Sequence, residues 1–283
     1  MTNARALKTR MDQLGDIALI IGSLKSIALL ESQQARGCVE SQTEGLNTMQ
    51  EAIVRVIAGS PQLSLPAPQA PSVLFILGSE RGFCGNFNAR LCDELHALTE
   101  DGRLSDCQIY PVGYRLSVKL EQEPRVVSPL KAASVFAEIE SVLSALTSLI
   151  SQPDSPMTPE QVAVLYHDGT SSSPRFEPLL GSLAHPDNNA EEGFSPILNL
   201  SPEAFYAQAM SEYILTRLNH VLTLSFFSEN QTRLQHLENA LNNVDDQTLT
   251  LEKQRNHLRQ EQITEELETI LLSAGLKSEE KSE

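Results

Sequence analysis

The chain contains no tryptophan, and aromatic residues make up only 5% of its 283 positions. This shortage disfavours an aromatic-lined ligand pocket. The 6 histidines show neither the H-E-x-x-H motif nor any other spacing typical of metal ligands. The cysteines are scattered without a C-x-x-C pair, which indicates free thiols in a reducing compartment. The cysteines are Cys38, Cys84, Cys92 and Cys107. From these observations we expect neither a bound metal nor a cofactor.

Nucleotide-binding motifs are also missing. A glycine-rich turn, residues 78–85, follows a strongly apolar stretch, which is where phosphates bind in Rossmann-like folds. The turn matches neither G-x-G-x-x-G nor G-x-x-x-x-G-K-[ST], and the chain has no Gly-Lys dipeptide. We interpret it as a structural turn whose glycines supply positive φ angles. Cys84 as a nucleophile, and His167-Asp168-Gly169 as a site at a strand end, are the minor alternatives.

Positive charge is scarce, because 21 Lys and Arg residues face 37 Asp and Glu residues, for a net charge of −16. The acidic excess extends over residues 37–283, whereas residues 1–36 carry a net charge of +2. This pattern argues against nucleic-acid binding and against adsorption on anionic lipid. The longest apolar stretch, residues 17–30, contains Lys25 and is too short to cross a bilayer. With no secretory signal pattern at the N-terminus, we expect a cytoplasmic protein without direct membrane insertion.

Helix breakers are absent from most of the C-terminal third. Neither proline nor glycine occurs between Pro202 and Gly275, so we predict one helix over residues 201–275, about 105 Å long. Ser201 or Asn199 would cap it, with Pro202 in its first turn. Apolar residues recur at alternating three- and four-residue steps, a narrow stripe typical of a coiled-coil seam. The apolar seam positions are Leu234, Leu237, Leu241, Val244, Leu251 and Leu258, and the polar ones are Thr248 and Arg255.

The N-terminal segment, residues 1–59, is the predicted partner helix, because apolar residues recur along it at helical spacing. Gly15 and Gly22 each weaken a helix by about 1 kcal/mol relative to alanine, but they would permit close approach of a second backbone. A kink is expected near Gly37 or Gly45. The predicted stripe consists of Leu7, Met11, Leu14, Ile17, Ile21, Leu24, Ile27 and Ala28.

Between the two helices, a proline-rich linker over residues 60–72 cannot continue a helix. Residues 73–200 then alternate apolar strands with helices, which predicts a Rossmann-like α/β domain with a largely parallel sheet. A charged tail, residues 276–283, follows the long helix. The predicted strands are 73–77, 108–112, 125–127, 162–166, 176–180 and 196–200, and the predicted helices are 86–98, 114–120 and 132–150, the first capped by Asn86 or Asn88.

Three segments together resemble the gamma subunit of F-type ATP synthases. The first is the N-terminal helix, residues 7–28. The second is the turn S-E-R-G-F-C-G-N-F-N at residues 79–88, where the family has S-D-R-G-L-C-G-G-L-N. The third is the C-terminal run, with S-E-N-Q-T-R-L from Ser228 and R-Q-E-Q-I-T-E-E-L from Arg259. The family shows S-E-x-x-x-R-M and R-Q-x-x-I-T-x-E-L at the same separation, and the resemblance covers essentially the whole chain.

The resemblance implies a fold and a role. The two terminal helices would form a coiled coil inside a hexamer of alpha- and beta-type subunits, and catalysis would belong to that hexamer rather than to this chain. The α/β domain would lie near a membrane c-ring and an epsilon-type partner, on the cytoplasmic face of the membrane. The chain would then be a central-stalk rotor, whose rotation couples ATP synthesis or hydrolysis to proton or sodium transport.

By motif position, the resemblance also implies partner-contact residues. Arg233, Gln260 and Thr264 match residues that meet the catalytic hexamer in the family, and Leu24 and Lys25 lie at the corresponding level of the opposing helix. We expect Arg233 to offer its planar guanidinium to a partner carboxylate. On this interpretation, Arg233→Ala leaves the thermal midpoint within a few degrees. Gln260 and Thr264 are four residues apart and share one helix face.

Two features depart from the family pattern. The lysine-rich K-I-T-K-A-M string is replaced by I-I-G-S-L at residues 20–24, and the chain is acidic where family rotors are often basic. Both departures fit the divergent gamma subunits of the alternative, often sodium-linked ATPases. Two other classes stay open beside the rotor: a coiled-coil scaffold of another complex, and a self-contained α/β ligand-binding protein or enzyme.

Overall fold

The computed structural model describes residues 2–65, 69–104, 106–151, 157–169, 173–184 and 197–279. The chain forms two compact units. Unit 1 consists of residues 1–26 and 237–283, and unit 2 consists of residues 27–236. The helices are α1 (Thr2–Ala58), α2 (Phe87–Glu100), α3 (Tyr114–Lys119), α4 (Ile139–Ile150), α5 (Gly181–Ala184) and α6 (Pro202–Glu279), and the strands are β1 (Val73–Leu77), β2 (Gln108–Val112), β3 (Val162–Tyr166) and β4 (Arg175–Pro178).

Both terminal helices form as single uninterrupted elements. α6 begins at Pro202, and the Oγ of Ser201 accepts a hydrogen bond from the Ala204 N–H at 3.2 Å, so Ser201 is the cap. α1 runs through Gly37 and Gly45 as one continuous helix, and the kink expected near one of them stays a prediction. A Cβ placed on any of its four glycines, Gly15 and Gly22 included, would meet nothing within 4 Å. The prediction that these glycines serve close helix approach is therefore wrong.

Unit 1 is an antiparallel helix pair. The Lys25 Nζ lies 3.1 Å from a Glu238 carboxylate oxygen, and further along, Leu7 and His257 line one groove. On α6 the predicted seam faces inward: Leu237 and Leu251 are buried, and the remaining apolar seam residues are half-buried. On α1 the stripe is narrower than predicted, since Ile17 and Ile27 are 45% and 47% exposed. The buried and half-buried positions there include Leu7, Met11, Leu14, Ala18, Ile21 and Leu24.

Unit 2 is built on a four-stranded sheet of order β2-β1-β3-β4. The central strand β1 is parallel to β2 and β3, and β4 closes one edge antiparallel to β3. Every residue of β1 and β3 is buried, as their uninterrupted apolar sequences require of strands covered on both faces. The sheet therefore has helices or other chain segments on each side.

Alternate residues of β1 enter two different cores, because successive side chains of a strand point to opposite faces. Val73, Phe75 and Leu77 belong to a cluster that includes Leu218 and Leu222 of α6. The opposite face packs against α2 and α3, through Leu74, Ile76, Leu91, Leu95 and Leu116. One face of the sheet is thus covered by the long helix itself, which ties α6 to the α/β domain.

Some boundaries differ from the predicted ones. The expected strand at residues 125–127 forms only one isolated bridge to β2, between Val126 and Ile109, where proline on either side, at 124 and 129, limits the ladder. Described residues 197–200 contain no strand, and Pro196 lies outside the described residues. The expected helix at 132–150 begins later, with a 3-10 turn at Phe136–Glu138 before α4. The expected strand at 176–180 is β4.

Candidate functional site

The partner-contact residues expected from the sequence fall into both compact units. Leu24, Lys25, Gln260 and Thr264 belong to unit 1, and Arg233 belongs to unit 2. Gln260 and Thr264 are exposed on α6, and the Thr264 Oγ1 donates a hydrogen bond to the Gln260 carbonyl at 3.0 Å. Leu24 and Lys25 are half-buried, and the charge of Lys25 pairs with Glu238. Gln260 and Thr264 therefore present the surface that a partner contact requires.

Arg233 has a different environment from the one expected. Only 12% of its side chain is exposed, and three of its donors bind groups of this chain. Its Nε donates to the Gly82 carbonyl at 3.2 Å, its Nη1 to the Asn230 Oδ1 at 2.7 Å, and its Nη2 to the Glu229 carboxylate. A guanidinium has five N–H donors, which leaves at most two for a partner. These contacts correct the expectation that the Arg233 guanidinium is solvated and that its removal leaves the stability of the fold unchanged.

Glu229 is the acidic half of this arrangement, and the sequence analysis did not single it out. It is buried, at 4% exposure, one helical turn before Arg233. Burial raises the pKa of the Glu229 carboxyl to about 7, although the Arg233 guanidinium acts in the opposite direction. The signal available in the sequence was the four-residue spacing of a glutamate and an arginine, but that spacing is common on solvated helix surfaces. Only burial distinguishes this pair.

The glycine-rich turn is held by its own polar groups. The Glu80 carboxylate accepts hydrogen bonds from the backbone N–H of Tyr114 at 3.1 Å and of Ala132 at 3.0 Å. The Ser79 N–H donates to the Asn88 Oδ1 at 3.0 Å, and the Asn88 Nδ2 donates to the Ser79 Oγ at 2.7 Å. Asn88 thus braces the turn, while Asn86, at the N-cap position of α2, makes no side-chain cap bond.

Close packing explains two glycines around this turn. A Cβ on Gly78 would lie 2.4 Å from the Leu116 Cβ. Gly113 has a φ of +115°, and a Cβ there would lie 2.7 Å from the Ser79 carbonyl oxygen. The adjoining cavity, lined by Leu77, Gly78 and Glu229 among others, measures ≈ 20 Å³. That space holds about one water molecule and is far too small for a nucleotide.

The minor alternative sites show little of the chemistry they would need. Cys84 is buried, its Sγ lies 3.2 Å from the Ser79 Oγ, and burial raises the pKa of its thiol. A raised pKa leaves less of the nucleophilic thiolate. His167 is also buried, with its Nε2 3.0 Å from the Phe87 carbonyl oxygen, and burial lowers the pKa of its ring.

A second ion-pair cluster, which is only partly buried, ties α6 to the edge strand. The Glu177 carboxylate of β4 forms ion pairs with Arg175 and Arg217, and it accepts a hydrogen bond from the Tyr166 hydroxyl at 3.2 Å. His220 lies beside this cluster, and burial lowers the pKa of its ring to about 4. Arg217 lies 40 positions from Glu177 in the chain, so no local pattern could have revealed that the α6 arginine joins the β4 residues.

α1 carries large apolar side chains that the described residues leave exposed. Leu19 and Ile20 in unit 1 are 72% and 60% exposed, and Leu30 in unit 2 is 59% exposed. By length and composition alone, the described part of α1 contains one 18-residue window that is apolar enough to cross a membrane, and 17% of that window is buried.

Comparisons with known proteins agree with this architecture. The family model described as ATP synthase matches residues 3–275. The gamma chain of the ATP synthase of Lachnoclostridium phytofermentans is 23% identical over 298 residues, covering 97% of this chain and 99% of that protein. The gamma chain from Rubrobacter xylanophilus is 22% identical over 291 residues, with 97% and 98% covered.

Solved structures show the same fold. The rotor of the Euglena gracilis mitochondrial ATP synthase contains a chain that superposes with a TM-score of 0.59 at 15% identity, with 93% of this chain and 99% of that chain covered. A chain of the same organism's OSCP/F1/c-ring assembly gives a TM-score of 0.60 at 16% identity, with 95% and 93% covered.

The match over nearly the full length places the chain in a family: it belongs to the ATP synthase family. Within that family its relatives are gamma chains. The predicted gamma-type, central-stalk subunit with an α/β domain between long N- and C-terminal helices is thereby confirmed. The sodium-linked subtype stays a prediction.

Proposed function

We propose that this gamma-type subunit is the non-catalytic rotor of its complex, which couples nucleotide turnover in an alpha/beta hexamer to proton or sodium movement through a membrane c-ring. The observation that carries this proposal is the antiparallel helix pair of unit 1, whose seam is narrow and whose outer faces are exposed. A two-helix pair has little core of its own, so it suits a shaft that a surrounding protein encloses.

The packing of the glycine-rich turn supports a non-catalytic role. The glycine-rich turn, where a phosphate site would lie, is filled by Leu116, Asn88 and Arg233. The nucleotides are then handled by the alpha- and beta-type partners, and this chain changes which of their conformations is favoured as it turns.

A protein partner suits the exposed apolar surface of α1 better than lipid does. Lys25 interrupts that surface and pairs with Glu238 of a strongly polar helix. A lysine at the centre of a bilayer costs about 2.5–3.5 kcal/mol even on insertion scales, and α6 would bring many further charges. We therefore place the chain on the cytoplasmic face as a peripheral subunit, with an epsilon-type partner and the c-ring beside the α/β domain.

Gln260 and Thr264 are the proposed contacts to the catalytic hexamer that can be tested most directly. Both are exposed, they lie four residues apart, and one loop of a partner can reach both. Leu24, Lys25 and the exposed part of Arg233 complete the proposed contact set. Neutral hydrogen bonds contribute about 0.5–1.5 kcal/mol each, so losing two of them lowers a rate by about 5-fold to about 160-fold at most.

The test is a reconstituted complex that carries Gln260→Ala together with Thr264→Ala. We expect assembly to be retained and the ATPase rate to fall, because the contact acts during rotation. The matched control is Asn243→Ala with Gln247→Ala, two polar residues that are also exposed and four apart on α6. Equal rates for the wild type and the Gln260/Thr264 variant, in complexes verified to contain the subunit, would contradict the assignment of these residues. A complex that couples normally without this chain would contradict the rotor role.

A further inference from the structure

One face of α6 touches the carboxyl end of β1 and the turn that follows it at three successive helical turns. The Ser225 Oγ donates to the Leu77 carbonyl at 3.3 Å. Glu229 lines the small cavity beside Leu77 and Gly78. The Arg233 Nε reaches the Gly82 carbonyl at 3.2 Å. The three α6 residues are spaced by four, so they form one polar line against the end of the strand.

The Glu229–Arg233 pair is largely out of water, since the two side chains are 5% and 12% exposed. Such a pair adds little net stability by itself, because desolvation offsets the attraction of the charges. Removing one partner is different, since it leaves an uncompensated charge in the interior. The pair therefore holds Arg233 in one position, with its Nε directed to the turn.

The turn in its own right is connected to the rest of the sheet domain. Glu80 ties it to the start of α3 and to Ala132, and Ser79 is braced by Asn88. Arg233 adds the link from this braced turn to α6. A displacement of α6 about its own axis would pull the Gly82 carbonyl, and with it a segment that is anchored to the domain at several other points.

We propose that Glu229 is a positioning residue, which holds Arg233 as a clasp between α6 and the glycine-rich turn at residues 78–85, so that α6 cannot turn independently of the sheet domain. The clasp is a property of this chain alone. Its role in passing torque from the shaft to the α/β domain rests on the proposed rotor function.

Cys84 reports on the clasp, because it lies in the turn and its thiol is buried at 5% exposure. In the full-length chain, Glu229→Gln should make Cys84 react with a maleimide about tenfold faster, since a turn that loses one hydrogen-bonded anchor opens locally more often. The reaction is followed site by site with peptide mass spectrometry. Cys107, buried at 1% exposure in the same core cluster as Cys84 but outside the turn, is the internal control for global unfolding.

Two further variants separate the clasp from general destabilisation. Glu177→Gln removes the half-buried β4 carboxylate that pairs with Arg217 of α6, and it should leave the Cys84 rate unchanged. Glu229→Leu with Arg233→Met replaces both charges by apolar groups, which buried pairs tolerate well. That double variant should fold, yet it lacks a donor to Gly82 and should expose Cys84 as Glu229→Gln does. It also removes both charges that act on the Cys84 thiol.

Selective acceleration at Cys84 in the two Glu229 variants supports the clasp. Unchanged Cys84 reactivity in the folded double variant, or equal acceleration in Glu177→Gln, overturns it. The proposed role of the clasp in passing torque is measured in reconstituted vesicles as the number of ions pumped per ATP hydrolysed. This ratio should fall in Glu229→Gln. A normal ratio there overturns the torque role even if Cys84 is exposed. Failure of the wild-type chain to support any coupled pumping would count against the rotor proposal, and would leave the labelling result standing.

Discussion

Replacing Arg233 by alanine should destabilise the fold strongly, which reverses the expectation drawn from the sequence. The change removes the partner of a carboxylate that is 4% exposed and leaves the Gly82 carbonyl and the Asn230 Oδ1 without this donor. Breaking a buried pair on one side costs about 3–5 kcal/mol. For a unit of this size, about 2–4 °C of midpoint accompanies each kcal/mol, so the thermal midpoint should fall by about 6–20 °C.

The loss of stability in Arg233→Ala should also depend on pH, because the Glu229 carboxylate can become neutral by taking up a proton. Burial already raises the pKa of the Glu229 carboxyl to about 7. At pH 6 the carboxyl is mostly neutral in the folded wild type, so losing Arg233 matters less; at pH 8 it is mostly charged and the loss is larger. The charged groups that act on it are Arg233, Glu80 and Arg81.

The assay is denaturant and thermal unfolding of the full-length chain, followed by circular dichroism at both pH values. Arg36→Ala is the control, because Arg36 forms an ion pair with Glu40 at the same four-residue spacing with both side chains about 70% exposed. That pair should contribute about 0.5 kcal/mol or less. A midpoint shift of only a degree or two for Arg233→Ala at pH 8, or equal shifts at the two pH values, would refute the argument.

Three further predictions concern single residues. Gly113→Ala should destabilise the domain by several kcal/mol, because a positive φ and a Cβ 2.7 Å from the Ser79 carbonyl oxygen are both unfavourable. Gly22→Ala should stabilise α1 by up to about 1 kcal/mol, since its Cβ meets no neighbour. Both variants are measured by chemical denaturation, and a loss of stability in Gly22→Ala would contradict the second prediction. In the folded state, the pKa of the Glu229 carboxyl is raised from 4.5 to about 7. The contribution of the protonated carboxyl to the free energy of unfolding is therefore fully present below pH 4.5 and is lost as pH rises through about 7, by at most about 3 kcal/mol. Glu229→Gln should remove that part of the pH dependence, and an unchanged pH profile of stability would show that Glu229 does not titrate in this window.

Much of the architecture was determined by local sequence alone. The run without proline or glycine after Pro202 dictates α6, because nothing in it interrupts the backbone hydrogen-bond ladder. The uninterrupted apolar runs of β1 and β3 dictate strands covered on both faces. The spacing of Leu237 and Leu251 placed both in the seam of an antiparallel pair. These features depend on neighbours within a few residues, so a sequence can specify them directly.

The environment of each polar side chain was decided only by the tertiary structure. Arg233 and Gln260 occupy the same helix and both match family motifs, yet one is engaged inside the domain and the other is exposed. The difference arises because the sheet covers α6 near Arg233, which brings Gly82, 151 positions away in the chain, within hydrogen-bond distance. Ile17 fits the apolar period of α1 but is 45% exposed, since a single partner helix covers only a narrow stripe. Burial and pairing are set by contacts between distant segments, and helical periodicity carries no information about which segment will lie opposite.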